Sequence, residues 1–284
     1  MTKLILIEGI PGSGKTSFAK KTAEWYKDRG MTVNLFIEGQ KHPADLGWNA
    51  CVPIGLYHQI LDKYAPLREE IEAQTVFEDE TAIVAYTQVK TNNRNFYNEL
   101  EAFEVYDGRA PDEVFYKLHY ERWRKFGRSA TDKNERNIFE CAFMQNHVNE
   151  LLFWRNVDEA EIIKHQNRLL DSVKHLSPVL IYLSQPNIRE TIERIARERV
   201  SQAHGNWIDL CIAYCERSFF GRQNGIKGFE GAMKFFTLRK QLEMKIISQL
   251  SIPYIVIENA EYDWDNVWAK IKGYLVTLER SPDQ

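Results

Sequence analysis

Cysteine is scarce in this sequence: four residues in 284, at 51, 141, 211 and 215, with no Cys-x-x-Cys pair. Cys211 and Cys215 stand one helical turn apart, but a metal there needs two further ligands, and His204 is the only histidine near them. Reduced thiols on a helix face are the simpler reading. No apolar run approaches the roughly 20 residues that cross a bilayer. An excess of charge of one sign is missing too. The 37 Lys and Arg against 40 Asp and Glu leave a net charge of -3, which gives no overall attraction for nucleic acid or an acidic membrane. Internal repeats, low-complexity tracts and Gly/Ser linkers are absent. What is present is ordinary globular composition, 44% hydrophobic and 27% charged, in a chain long enough for one large core. A strand starts at Lys3, so the expectation is no cleaved leader and a cytoplasmic protein.

Five continuous apolar runs, at 3–7, 33–37, 137–140, 179–183 and 254–257, read as buried parallel strands. Helical patterns lie between them. Phe18, Thr22 and Trp25 recur along the first. Asn187 with Glu190 forms a capping box ahead of another. Phe235, Leu238, Leu242 and Ile246 mark one face of a long helix, and Asp263 caps the last. The alternation implies an α/β fold: a doubly wound, five-stranded parallel sheet in a single domain spanning 1–284. Residues 41–134 interrupt it. Rich in aromatics such as Tyr97, Phe103, Tyr106 and Phe115, they read as a large helical insertion over the carboxyl ends of the strands, where ligands of open α/β sheets bind. Tyr116, Tyr120 and Trp123, in the basic run KLHYERWRKFGR, have the spacing of a core stripe rather than of a nucleic-acid platform.

The stretch IEGIPGSGKTS carries the sharpest signal. Gly9, Gly14, Lys15 and Thr16 complete G-x-x-x-x-G-K-[ST] between a strand and a helix. Residues Gly9, Ile10, Pro11, Gly12, Ser13 and Gly14 form a phosphate cradle of backbone N–H groups, backed by the helix dipole at Lys15, Thr16 and Ser17. Lys15 reaches the outer phosphates and Thr16 offers its hydroxyl to Mg²⁺. Transfer of a phosphoryl group then needs further carboxylates and cations. Glu140, closing the third strand beside the loop strand, is the second metal group. Glu38, closing the second strand, is the general base or acceptor-orienting group. Glu8 braces the loop. NIRETIERIARERVSQAHG supplies Arg194, Arg197 and Arg199 to a lid over 187–228 that closes on ATP, while Arg189 reads as a solvated partner of neighbouring glutamates. Gly221, Gly225 and Gly228 suit flexibility there.

Taken together, IEGIPGSGKT, a Glu after the second strand, a carboxylate ending the third and an Arg-rich helix after the fourth resemble the P-loop kinases of the thymidylate kinase and deoxynucleoside kinase group. The resemblance implies strand order 2-3-1-4-5, ATP and Mg²⁺ as cofactors, and an adenine-lining loop at Asn259 and Ala260. Cys141 stands where that group has Arg, and Gly39 where it has Pro, so acceptor identity does not carry over. His42, Asp45, Gln145 and Asn146 are the acceptor candidates by position. Asp107 and Arg109 read as a surface turn.

The expectation is thus an ATP-dependent kinase acting on a hydroxyl of a small molecule: a nucleoside, a nucleotide or an antibiotic-like natural product. The alternative is an NTPase switch hydrolysing ATP or GTP without such an acceptor; the Asn-Lys-x-Asp of guanine switches is absent. Neither a nucleic-acid nor a membrane partner is expected. A homodimer is compatible with the sequence.

Overall fold

In the computed structural model, which describes residues 2–201 and 205–280, the first strand, β1 (Leu4–Gly9), is buried along its whole length. A strand without a polar face must be covered on both sides. Its neighbours follow in chain order: α1 (Lys15–Lys27), β2 (Thr32–Phe36), β3 (Ala50–Pro53), α2 (Ile54–Lys63), α3 (Arg68–Ala73), β4 (Thr75–Glu78), β5 (Thr81–Val84), α4 (Arg94–Glu101) and α5 (Asp112–Ser129). After these come β6 (Glu135–Glu140), α6 (Gln145–Val148), a π-helical stretch (Asn149–Trp154), α7 (Glu159–Val173), β7 (Val179–Ser184) and α8 (Ile188–Glu198). The chain ends with β8 (Val200–Ser201), β9 (Gly205–Asn206), α9 (Trp207–Arg217), α10 (Phe219–Gln223), α11 (Gly228–Ile247), β10 (Tyr254–Glu258) and α12 (Trp264–Arg280).

Two compact units result: residues 36–126, and the remainder before and after them. The larger holds a five-stranded sheet in the order β10-β7-β1-β6-β2. Counted along the chain, these five strands read 2-3-1-4-5, the order that the resemblance implies. β1 pairs parallel with β6 and β7, and β7 with β10. Because side chains alternate along a strand, β1 serves both faces. Ile5 and Ile7 pack with Phe18 and Tyr26 of α1 and with Val267, Ile271 and Leu275 of α12. On the other face Glu8 lies under residues 143–145, and Tyr182 of β7 bonds to Glu243 of α11.

The caps behave as their residue types require. Asn187 Oδ1 accepts the Glu190 N–H at 3.1 Å and Asp263 Oδ1 accepts that of Asn266 at 3.1 Å. Cys215 is buried and Cys211 half-buried, and none of the four cysteines is in a disulfide; His204 falls outside the described residues.

The insertion departs from the helical expectation. Its strands form a three-stranded antiparallel sheet, β3-β5-β4. That sheet and its helices share a core of their own around Val52, Tyr57, Ile60, Val84, Phe96 and Leu100. Of the stripe read in α5, Trp123 is fully buried, but Tyr116 and Tyr120 are only half-buried; the buried face runs instead through Phe115, His119 and Trp123. The 187–228 segment is built of helices and packed against the rest of the sheet unit. It is helical over most of its described length, and Ile192, Ile195 and Cys215 join Phe153 and Phe235 in a further apolar cluster. Gly221 is required there by space: a Cβ would run into the Cys215 carbonyl oxygen. No described helix is long and apolar enough to cross a membrane.

Candidate functional site

The loop 9–14 leaves the carboxyl end of β1 and runs into α1. Gly9, Gly12 and Gly14 all have positive φ, at 146°, 78° and 98°, which side-chain-bearing residues rarely adopt. Space is as decisive as torsion. A Cβ on Gly9 would overlap the Leu183 carbonyl oxygen, and one on Gly12 the Ile195 side chain of α8. Ile10 is buried and Pro11 half-buried. The Ile10 carbonyl accepts both the Ser13 N–H at 3.2 Å and Lys15 Nζ at 3.0 Å. Ser17 is exposed on the first turn of α1.

Three side chains from outside hold the loop carbonyls. Arg239 of α11 donates to Gly9 O at 3.1 Å, Arg194 of α8 to Gly12 O at 3.2 Å, and Asn259 to Ser13 O at 3.0 Å. In a planar trans peptide the C=O and the following N–H point opposite ways. Fixing the Gly9 and Ser13 carbonyls outward therefore turns the Ile10 and Gly14 amides to the other side, where an anion can collect them.

Glu140 ends β6, the neighbour of β1, and its Oε1 accepts the Thr16 hydroxyl at 3.0 Å. Both groups expected at a metal are thus in contact. Two hard oxygen donors at the mouth of an anion cradle fit Mg²⁺, which takes carboxylate oxygens together with phosphate. The Cys141 thiol donates to the same oxygen at 3.2 Å from a backbone at φ 67°. Glu8 braces, but not the phosphate loop. Its carboxyl accepts the N–H groups of Phe143, Met144 and Gln145, at 2.8, 3.0 and 3.1 Å, so it pins the turn after Glu140. Burial pushes Glu8 up to about 8; the three N–H bonds pull against that, and the nearby Glu243 adds to it.

The arginines separate. The Arg194 guanidinium lies 3.4 Å from the Tyr262 ring centroid, stacked beside the loop. Arg197 is exposed at the last turn of α8. Arg199 is exposed and faces the Trp207 ring at 5.5 Å. Arg189 pairs with Glu193 and Glu230, the solvated role expected of it. Asn259 is buried, with Ala260 half-buried beside it, between β10 and α12.

Of the acceptor candidates, Gln145 is a link in the sheet unit: its Oε1 accepts from Arg239 at 3.2 Å. Asn146 is buried next to it. The other two lie in unit 36–126. His42 Nδ1 accepts the N–H groups of Ala44 and Asp45, and its carbonyl accepts from Arg122. Burial, then the Arg122 charge, holds this imidazole neutral. Asp45 accepts from Tyr106 OH at 2.5 Å, with His119 Nε2 at 4.0 Å. Arg109 clamps Glu101, Glu104 and Asp107, as a turn brace would. Glu38 stands in the turn beyond β2, half-buried, where its Oε1 accepts the Trp48 indole N–H at 3.4 Å.

Sequence reading missed Arg239, Tyr262 and the His119–Arg122 part of this second cluster. A signal for Arg239 existed. Arg239 and Glu243, an i,i+4 pair of opposite charge, interrupt the apolar stripe traced by Phe235, Leu242 and Ile246. No protein-family model matches the chain, and no curated protein matches it in sequence.

Proposed function

We propose that this chain is an ATP-dependent phosphotransferase of P-loop kinase type, moving the γ-phosphoryl group to a hydroxyl of a small molecule. The observation that carries the reading is the 3.0 Å contact between Thr16 and Glu140 at the end of the glycine loop. A phosphate-binding turn alone suits any anion. A hydroxyl and a carboxylate converging beside it suit a nucleotide with its cation.

The Ile10 and Gly14 amides bind phosphate oxygens, and Lys15 exchanges the Ile10 carbonyl for the outer phosphates. Thr16 and Glu140 would hold Mg²⁺, which would offset the charge of the phosphates. Arg194, already against Gly12, neutralises charge as it moves between oxygens. Arg197 and Arg199 extend that role. Glu38, two residues past β2, takes the acceptor proton. The acceptor itself is sought among nucleosides, nucleotides and hydroxylated natural products.

The test is ATP consumption by the purified full chain with Mg²⁺, with and without a panel of hydroxyl compounds. The expected result is turnover that depends on one class of compound and yields its phosphate ester. Hydrolysis indifferent to every compound and raised by a protein partner would favour an NTPase switch instead. Glu38→Gln should bind ATP as the parent does and lose transfer; a variant transferring at the parent rate removes Glu38 as the base.

A further inference from the structure

Arg239 is an unusual residue to find inside α11. Only 1% of it is exposed, and an uncompensated buried guanidinium costs several kcal/mol. An apolar side chain of similar volume would hold α11 on the sheet at least as well. Its bonds say what the charge is for. Nε donates to Glu243 Oε1 at 2.7 Å, and Nη2 to Gly9 O at 3.1 Å and Gln145 Oε1 at 3.2 Å. Glu243 in turn accepts Tyr182 OH at 2.6 Å, and the Gln145 N–H is held by Glu8. Tyr182 belongs to β7, Gly9 ends β1, and Gln145 follows β6. These three strands are adjacent in the sheet. The guanidinium thus bonds the last residue of β1 and the first residue of α6 directly, and reaches Tyr182 of β7 through Glu243.

We propose that Arg239 is a positioning residue for phosphate binding. It reaches no phosphate itself. By holding the Gly9 carbonyl outward it aims the Ile10 N–H into the loop, and through Gln145 it sets the spacing between the loop and the Glu140 turn. Burial pulls its pKa down, but the Glu243 carboxylate outweighs this and raises it, so the guanidinium keeps its charge across the ordinary pH range. The inference rests on the nucleotide reading above and adds to it a determinant of affinity remote in sequence from the glycine motif.

The test measures binding of inorganic tripolyphosphate and of ATP to the full chain by calorimetry, for the parent, Arg239→Lys, Arg239→Met and Gln145→Leu. Lysine can reach either Glu243 or Gly9 but lacks the fork for both. Folded Arg239→Lys should lose about tenfold in affinity for both probes, the worth of one hydrogen bond to a charged group. Gln145→Leu, which leaves the Gly9 bond in place, should lose less. The amide NMR signal of Ile10 should shift on tripolyphosphate binding in the parent and stay nearly still in Arg239→Lys, a signature that mere loss of stability does not give. Should Arg239→Met fail to fold, the lysine and Gln145 variants still decide. Parent-like affinity and a parent-like Ile10 shift in folded Arg239→Lys overturn the inference alone. A parent chain that binds neither probe overturns the nucleotide reading and this inference with it.

Discussion

Single atoms decide much of this site. Lys15→Ala removes the ammonium that bonds the Ile10 carbonyl and should abolish measurable ATP turnover, read by product formation. Gly12→Ala has two separate faults: a left-handed backbone at φ 78° and a Cβ aimed at Ile195. Overpacking of this kind costs about 1–3 kcal/mol, so thermal denaturation should show a clear drop in Tm. Ile195→Ala in the same chain should return the steric part and leave the torsional part. The glycine motif was legible because its backbone demands leave almost no choice of residue. Thr16 and Glu140 were legible for the same reason, as the ends of elements flanking it. Arg239 was hidden because a periodicity argument treats a charge on an apolar face as noise. His42 and Asp45 were seen singly, but their tie to Tyr106 and Arg122 depends on long-range folding that no local pattern encodes.

At the level of elements, the five parallel strands were readable as apolar runs, with ends correct to about two residues. The antiparallel sheet β3-β5-β4 was not. Its strands are four residues each, too short for alternation to show. The turn joining β4 to β5 is Asp79-Glu80, with Asp79 at φ 49°, and lacks the Asn-Gly or Asp-Gly that announces such hairpins. Helix α8 has a job beyond packing. Through Arg194 it bonds the Gly12 carbonyl and covers the Tyr262 ring. Arg194→Ala should therefore cut kcat about tenfold or more, as loss of a charge near the moving group does. Its Tm should move by only a degree or two, because Ile192 and Ile195 still anchor the helix. A parent-like rate would take α8 out of the chemistry. Arg197→Ala should lower rate with little change in ATP affinity, measured by the same assay.

For the whole molecule, the buried Glu8 links stability to pH. Its carboxyl sits at about 8 when folded against 4.5 as the ordinary value. Below about pH 4.5 both folded and unfolded chains carry the proton. Between 4.5 and 8 the unfolded chain releases it while the folded chain keeps it, so the Glu8 contribution falls as pH rises through that window and is flat above it. Glu8→Gln should flatten the decline of Tm between pH 5 and 8 relative to the parent, whatever its effect at a single pH; parallel slopes would show that Glu8 is ionised throughout. The broad architecture was thus recoverable from pattern, while its internal charges had to be seen in place. One feature of the chain path reaches further. The chain leaves the parallel sheet at β2 and rejoins it at the adjacent β6, a crossover that needs only a dozen or so residues, yet the stretch 36–126 fills it with a sheet and core of its own. The bonds that hold the loop carbonyls, from Arg239, Arg194 and Asn259, all start outside 36–126, so another segment spliced between β2 and β6 would leave those three bonds in place.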